Sequence, residues 1–369
     1  MHLRKHNFRG TNNYLPNKLP RAIVLVVALW FSSGIISAQK GEEELGRMMF
    51  YNVENLFDTI NDPDTDDDDF TPNGSLHWTK SRYRKKREHI AWVISNIGEW
   101  SYPAIVGMVE VEDTRVIHDL LSLHTFEMVD YDYAVTDSSD PRGVDVALMW
   151  DNNRLKHISS REIPHYGELQ SYPLSHDPRK LEEAKGTGRN TLWVTLEHRA
   201  TGRLMDIFVL HAPSRRAGTR ITGEKRARVL SKIKCIIDEL LHDNPQRCVV
   251  IMGDFNDNPT DLSLLKTLQA EAIDKETDIQ PTCLYNLTYT LYKNGKGTHR
   301  FQGRPWMPDQ IIVSGNLYQG DQPLLSERQV SIFKHPVLFD KDGNLKRTYR
   351  GTVYTGGYSD HLPIYIDLH

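Results

Sequence analysis

The stretch VIMGDFNDNP, residues 250–259, sets Asp254, Asn256, Asp257 and Asn258 directly behind the apolar run 249–252. A loop that only had to turn would need one or two such residues. The mouth of a strand is also where catalytic groups are commonly mounted. The same punctuation recurs along the chain. FYNVEN leaves Asn52 at the end of an apolar run, VGMVEVED leaves Glu110, and FVLHAPSRR leaves His211. Asp309 in PDQIIV, and Ser359, Asp360 and His361 in YSDHLPIYIDL, precede their runs instead. If those two late strands lie antiparallel to the first four, all these groups meet at one sheet edge. The set combines carboxylates, amides and two histidines, and GYSDH is not the G-x-S-x-G elbow of a serine nucleophile. Oxygen donors of this kind suit Mg²⁺ or Mn²⁺ better than Zn²⁺, and Mg²⁺ normally shares its shell with phosphate oxygens.

The apolar runs that would mount these groups predict strands over 47–52, 104–109, 126–135, 144–150, 191–197, 204–210, 248–252, 310–313 and 363–368. Helical spacing is clearest over 82–98, with Ile90, Val93, Ile94 and Ile97 on one face, and over 223–242. Shorter helices fit 114–123 and 261–270. Strands dominate, and some are separated by only a hairpin-sized gap. This pattern predicts an α/β fold of sheets packed face to face with helices outside, not a simple alternating parallel sheet.

The chain has 369 residues, 39% hydrophobic and 25% charged, as expected of a soluble globular protein. Its net charge of −4 supplies no global basic field for nucleic acid. Cys235, Cys248 and Cys283 are too few for a disulfide scaffold, and Cys235 and Cys248 are expected in the core. The basic N-terminus, the short apolar segment 22–36 and the small residue Ala38 predict a signal peptide over 1–38. A periplasmic or secreted body of one domain, 39–369, is then expected. An uncleaved N-terminal anchor is the alternative.

NVENLF, VGMVEVED, LHAPSRR, MGDFND, PDQIIV and YSDHLP, in this order, resemble the endonuclease/exonuclease/phosphatase superfamily typified by deoxyribonuclease I, in a secreted bacterial branch. The resemblance implies a four-layer α/β sandwich with the site at one sheet edge. It implies Glu110 as principal metal ligand, Asn52 beside it, and Asp360 supporting that metal or a second one. Asp254 would activate or position the attacking water, and Asn256 would hold the phosphate or that aspartate. His361 would pair with Asp309, His211 would donate to phosphate or leaving group, and Arg189 would contact phosphate. The implied cofactor is Mg²⁺ (or Mn²⁺).

Other residues are less determined by this pattern. Arg215 and Arg216 either clamp a further phosphate or pair with the acidic loop DPDTDDDDF, residues 62–70. That loop is either a solvated turn or a calcium site. Arg142 and Asp145 are expected near the site rim, Asp145 equally as a structural group. The stretch 298–306, THRFQGRPW, is either a substrate wall or ordinary core.

The expected function is a metal-dependent phosphoesterase acting on a small molecule, a lipid head group or nucleic acid. A nonspecific nuclease and a catalytically silent binding protein on the same scaffold are the alternatives. A zinc hydrolase is disfavoured by the absence of H-E-x-x-H. No stable protein partner is expected, and the chain is expected to be a monomer.

Overall fold

The structure, a computed structural model, describes residues 45–165, 188–215, 219–321 and 323–369. The expected leader over 1–38 and Arg216 lie outside these residues. In chain order the strands are β1 (Gly46–Leu56), β2 (Ile105–Val111), β3 (Tyr131–Val135), β4 (Asp145–Asp151), β5 (Leu155–Pro164) and β6 (Asn190–His198). They continue with β7 (Leu204–His211), β8 (Cys248–Asp254), β9 (Ala270–Ala272), β10 (Leu284–Asn286), β11 (His299–Phe301) and β12 (Arg304–Trp306). The last are β13 (Asp309–Ser314), β14 (Ser331–Ile332), β15 (Tyr349–Arg350), β16 (Val353–Tyr354) and β17 (Ile364–Leu368). The main helices are α1 (Lys80–Gly98), α2 (Thr114–Leu121) and α3 (Thr219–Asp243).

Two mixed sheets result, one ordered β14-β17-β1-β2-β4-β3 and the other β5-β6-β7-β8-β13-β10-β9. Alternate residues of each central strand serve different layers. Phe50, Ile105, Val109 and Leu148 from the first sheet meet Ile207, Val209, Val250, Met252 and Ile311 from the second. The residues between them in sequence, Met49, Tyr51, Val106 and Met108, face Ile90, Val93 and Ile94 of α1 and Val116 and Leu120 of α2. On the other side Phe208, Leu210, Val249 and Ile251 pack on Val229, Leu230, Ile233 and Ile237 of α3. The layers are therefore helix, sheet, sheet, helix, an α/β sandwich. Burial on both faces explains why these strands read as continuous apolar runs rather than alternating ones. Gly107 lets the sheets close, because a Cβ there would strike the Met252 side chain.

Three departures from the sequence reading have physical causes. β5 was not expected, since its residues are mostly exposed or half-buried along the edge of its sheet and form no apolar run. The helix expected over 261–270 is a π-helical turn, Ser263–Leu268, stopped by the left-handed Gln269 (φ 58°) and followed by β9. Cys235 is exposed on α3 rather than in the core, while Cys248 is buried as expected.

Candidate functional site

β1 and β2 are parallel neighbours, and β17 runs antiparallel to β1. In the second sheet β7 and β8 are parallel and β13 is antiparallel to β8. The carboxyl ends of β1, β2, β7 and β8 and the amino ends of β13 and β17 therefore share one edge. The register is specific: His211 stands opposite Asp254, and Asp254 opposite Asp309. The SDH segment is tied to the first sheet by Ser359, whose Oγ donates to the Asn52 carbonyl at 2.8 Å and accepts from the His361 amide at 3.0 Å.

The backbone bends to aim the acids. Glu110 occupies an irregularity between Val109 and Val111 in the β2–β4 pairing and has φ 63°, a conformation that costs a non-glycine residue energy. The Asn52 amide nitrogen lies 3.4 Å from Glu110 Oε1 and 3.1 Å from Asp254 Oδ2, so it bridges the two sheets. His211 Nε2 is 3.9 Å from Glu110 and 3.8 Å from Asp254. Asp254 is held in turn by the backbone N–H of Asn256 at 2.8 Å, while the Asn256 amide donates to the Ala212 carbonyl at 2.9 Å. His361 Nδ1 lies 2.7 Å from Asp309 Oδ2, and Thr298 Oγ1 donates to the same oxygen.

Burial and neighbouring charges set the protonation states. Burial, with Asp309 and Glu110 adding to it, pushes the Asp254 carboxyl up to about 7 against the pull of His361. Burial alone would lower His361, but the hydrogen-bonded Asp309 carboxylate, together with Asp360 and Asp254, outweighs it and holds the ring charged well above its ordinary range. His211 goes the other way: burial, then the cations Arg189 and Arg142, keep it neutral far below its usual value. Asp360 is desolvated too, yet His361 and Arg347 hold it below the usual carboxylate range.

The donor set fits a hard divalent cation. Glu110 and Asp254 converge on one amide donor, and the neutral His211 does not balance their charge. The buried Asp309 Oδ1 has no hydrogen-bond partner. Two groups of His and Asp side chains come close enough to hold an ion among the described residues, Asp254–Asp309–His361 and His299–Asp360–His361. No residue of the acidic loop belongs to either.

The basic residues sort differently. The Arg189 guanidinium is 3.2 Å from Asp140, donates to the Ala212 carbonyl at 3.3 Å, and lines with His211, His165 and Ser214 a cavity of about 190 Å³. Arg215 is turned away from the acids of the edge. It donates to the Asn256 carbonyl at 2.8 Å and to Asp257 at 2.5 Å, and also binds Asp261. Arg226 Nε sits 2.8 Å from the other Asp257 oxygen. Asn258 accepts from the Met307 amide at 3.1 Å. Of the four polar residues in GDFNDN, then, Asp254 faces the site, Asn256 braces it, and Asp257 and Asn258 build the loop.

At the rim, Arg142 donates to Asn55 at 2.7 Å, and Asp145 is buried, accepting from Thr136 at 2.5 Å and from the Ser138 amide at 3.1 Å. The acidic loop is joined to this rim by the Asp66 amide, which donates to the Pro141 carbonyl at 2.6 Å. Its buried Asp67 carboxylate accepts from the Asp62 amide at 3.2 Å. In the stretch 298–306 Trp306 is buried, as in an ordinary core, and Phe301 is exposed.

Four further residues complete this region, and none of them is a candidate by sequence alone. Arg347 pairs with Asp360 at 2.7 Å and with Glu54 at 3.2 Å. Lys86 is buried, bonded to Thr348 at 2.6 Å and to the Tyr358 carbonyl at 2.7 Å, and pushed down to about 8 by desolvation. His299 stacks on His361 with ring centroids 4.5 Å apart. Glu54, within NVEN, carried a local signal because it follows the site asparagine on the same strand, and His299 falls within the stretch 298–306.

The comparisons with known proteins agree with this architecture. A model of the endonuclease/exonuclease/phosphatase family matches residues 47–369. No curated protein matches the chain. Among solved structures, the chain is similar to an endonuclease/exonuclease/phosphatase from Bacteroides vulgatus, with 16% identity, a TM-score of 0.52, and 88% of this chain and 98% of that one covered. A mannosyl-6-phosphatase of Bacteroides thetaiotaomicron gives 16% identity, a TM-score of 0.51 and coverage of 88% and 99%. A humanized TDP2 of D. rerio gives 13% identity, a TM-score of 0.51 and coverage of 88% and 98%. At such identities the likeness is one of fold, whereas the family model covers nearly the whole described body. The chain therefore belongs to the endonuclease/exonuclease/phosphatase family, hydrolases that act on phosphoester bonds and typically depend on a divalent metal.

Proposed function

We propose that the protein is a secreted or periplasmic phosphoesterase, dependent on Mg²⁺ or Mn²⁺, that hydrolyses a small or membrane-derived phosphoester. The observation that carries this reading is the convergence, across two sheets, of Asn52, Glu110, His211 and Asp254 with the Asp309–His361 pair. Glu110 and Asn52 would hold the ion, which when bound supplies positive charge against nonbridging phosphate oxygens. Asp254 accepts a proton from the attacking water. As the new P–O bond forms, the bond to the leaving oxygen breaks, and His361 gives that oxygen a proton. Asp309 keeps His361 charged and oriented until that step. His211 offers its one N–H to the phosphoryl group, and Arg189 adds charge from the adjoining cavity.

The preference for a small substrate over duplex DNA rests on where the basic residues point. A nonspecific nuclease tracks the backbone with many Lys and Arg. In α1 the stretch KSRYRKKR turns inward at Lys86, at Arg82, which donates to the Leu76 carbonyl at 2.6 Å, and at Arg87, which donates to the Asp119 carbonyl at 2.7 Å. Arg215 is engaged by its own loop, and the acidic loop stands at the rim. The completeness of the polar set favours an enzyme over a silent binding protein. The proposed monomer and the leader over 1–38 complete the reading; a mature N-terminus at Gln39 on secreted protein would support the latter.

A screen in Mg²⁺ over plasmid DNA, RNA, sphingomyelin and p-nitrophenyl phosphate esters tests the assignment. Turnover on a small or lipid ester, lost in His361→Ala and weakly dependent on salt, is expected. Plasmid nicking that exceeds turnover on every small ester, with a steep salt dependence, would make the protein a nuclease instead.

A further inference from the structure

We propose that His299, Asp360 and His361 form a second cation site, selective for a borderline transition metal such as Zn²⁺, whose occupation takes His361 out of the reaction. His299 is fixed in place by the base of its hairpin. Its neighbour Thr298 is buried, gives its hydroxyl to Asp309, and accepts the Leu362 amide on its carbonyl at 2.9 Å. The β11–β12 hairpin is thereby fastened to the SDH segment on both sides of His361.

The tautomers follow from the partners. His299 Nδ1 lies 2.6 Å from the Asp360 backbone carbonyl, and a carbonyl only accepts, so Nδ1 carries the proton. The neutral ring then keeps its lone pair on Nε2. His361 gives Nδ1 to Asp309, and a metal on its Nε2 would replace the proton that the charged ring carries there. Histidines that bind metals nearly always donate the other ring nitrogen to a carboxylate or a backbone carbonyl, and both arrangements are present here.

The third donor is the Asp360 carboxylate. Its Oδ1 is 3.9 Å from His361 Nε2, while its Oδ2 is held by Arg347, whose own charge is matched by Glu54. The two rings stack at 4.5 Å with 29° between their planes, and one ligand atom from each of the three residues lies within 4.8 Å of the others. Metal–nitrogen bonds of about 2 Å need ligand atoms roughly 3.3 Å apart, so closing the site on an ion draws the side chains together and turns the stacked rings until their Nε2 atoms converge. Two imidazoles and one carboxylate suit Zn²⁺, whereas the oxygen donors around Glu110 suit Mg²⁺. The two cations would therefore divide between the pockets. A metal on His361 Nε2 occupies the lone pair that otherwise carries the proton, so the loaded protein is inhibited. That consequence, though not the binding itself, rests on the proposed phosphoesterase reading.

The test uses the untagged protein in excess Mg²⁺, titrated with Zn²⁺ and, for its visible spectrum, Co²⁺. Wild type should bind one Zn²⁺ per chain that Mg²⁺ does not displace. His299→Asn, whose amide nitrogen can still donate to the Asp360 carbonyl, should bind it at least about 10-fold more weakly, lose the Co²⁺ bands and keep its Mg²⁺-dependent turnover. His299→Phe, which keeps the stacked ring without a ligand atom, should do the same. Equal Zn²⁺ affinity in wild type and both variants, or Zn²⁺ freely displaced by Mg²⁺, would overturn the site. Tight His299-dependent binding in a protein without phosphoesterase activity would leave the site standing and remove the catalytic reading.

Discussion

His361 Nδ1 and Asp309 Oδ2 lie 2.7 Å apart, although 52 residues separate them: Asp309 opens β13 of one sheet, and His361 lies in the loop that leads into β17 of the other. The carboxylate both orients the ring and holds its proton. Asp309→Asn should therefore lower kcat by about 10²-fold, the usual scale for a positioned acid–base group, and move the alkaline limb of the pH profile to lower pH. A rate loss with an unmoved alkaline limb would show that Asp309 only supports the fold.

Glu110 is aimed by a left-handed backbone towards Asn52 and Asp254 and makes no salt bridge to Lys or Arg among the described residues, and this makes it the residue most sensitive to metal. Glu110→Gln should need far more Mg²⁺ for half-maximal activity than wild type, with folding unchanged by circular dichroism. Excess chelator should abolish wild-type activity, and added Mg²⁺ or Mn²⁺ should restore it. Full turnover in chelator would rule out the metal-dependent mechanism.

Asp254 and His361 are both raised but are needed in opposite protonation states, which predicts a bell-shaped pH dependence. Asp254 must be ionised to take a proton, so activity should rise with pH through about 7, and at lower pH once a cation shares the pocket. His361 must be protonated, so activity should fall at alkaline pH above the ordinary histidine range. Asp254→Asn should lower the rate by at least about 10²-fold and remove the acid limb. Retention of that limb in the variant would assign it to another group.

Arg215 was expected to clamp a phosphate or to pair with the acidic loop 62–70, and its contacts with Asn256, Asp257 and Asp261 make it a brace of the GDFNDN loop. Arg215→Ala leaves Asp257 with Arg226 and Ser263 and should cost about 1–3 kcal/mol, seen as a lower Tm. Arg189→Ala should instead raise KM or lower kcat with little change in Tm. A raised KM at constant Tm in Arg215→Ala would return that residue to substrate binding.

How much of this could be read before folding depends on the range of the interactions. Which polar residue ends or begins which apolar run is a local property, so Asn52, Glu110, His211, Asp254, Asp309, Asp360 and His361 were all legible as residues of one sheet edge. Burial of the central strands on both faces wrote the layered α/β fold into the sequence as uninterrupted apolar runs. The tertiary structure decided what each charged side chain meets. Arg215 turns to Asp257 because the π-helical turn brings Asp261 and Ser263 beneath the loop. Lys86 leaves a basic run to reach Thr348, 262 residues away. His299 reaches His361 only because a hairpin base is stitched to the SDH segment. Ionic and hydrogen-bonding partners are chosen by register and packing between distant strands, and the spacing of residues along the chain carries no record of that choice.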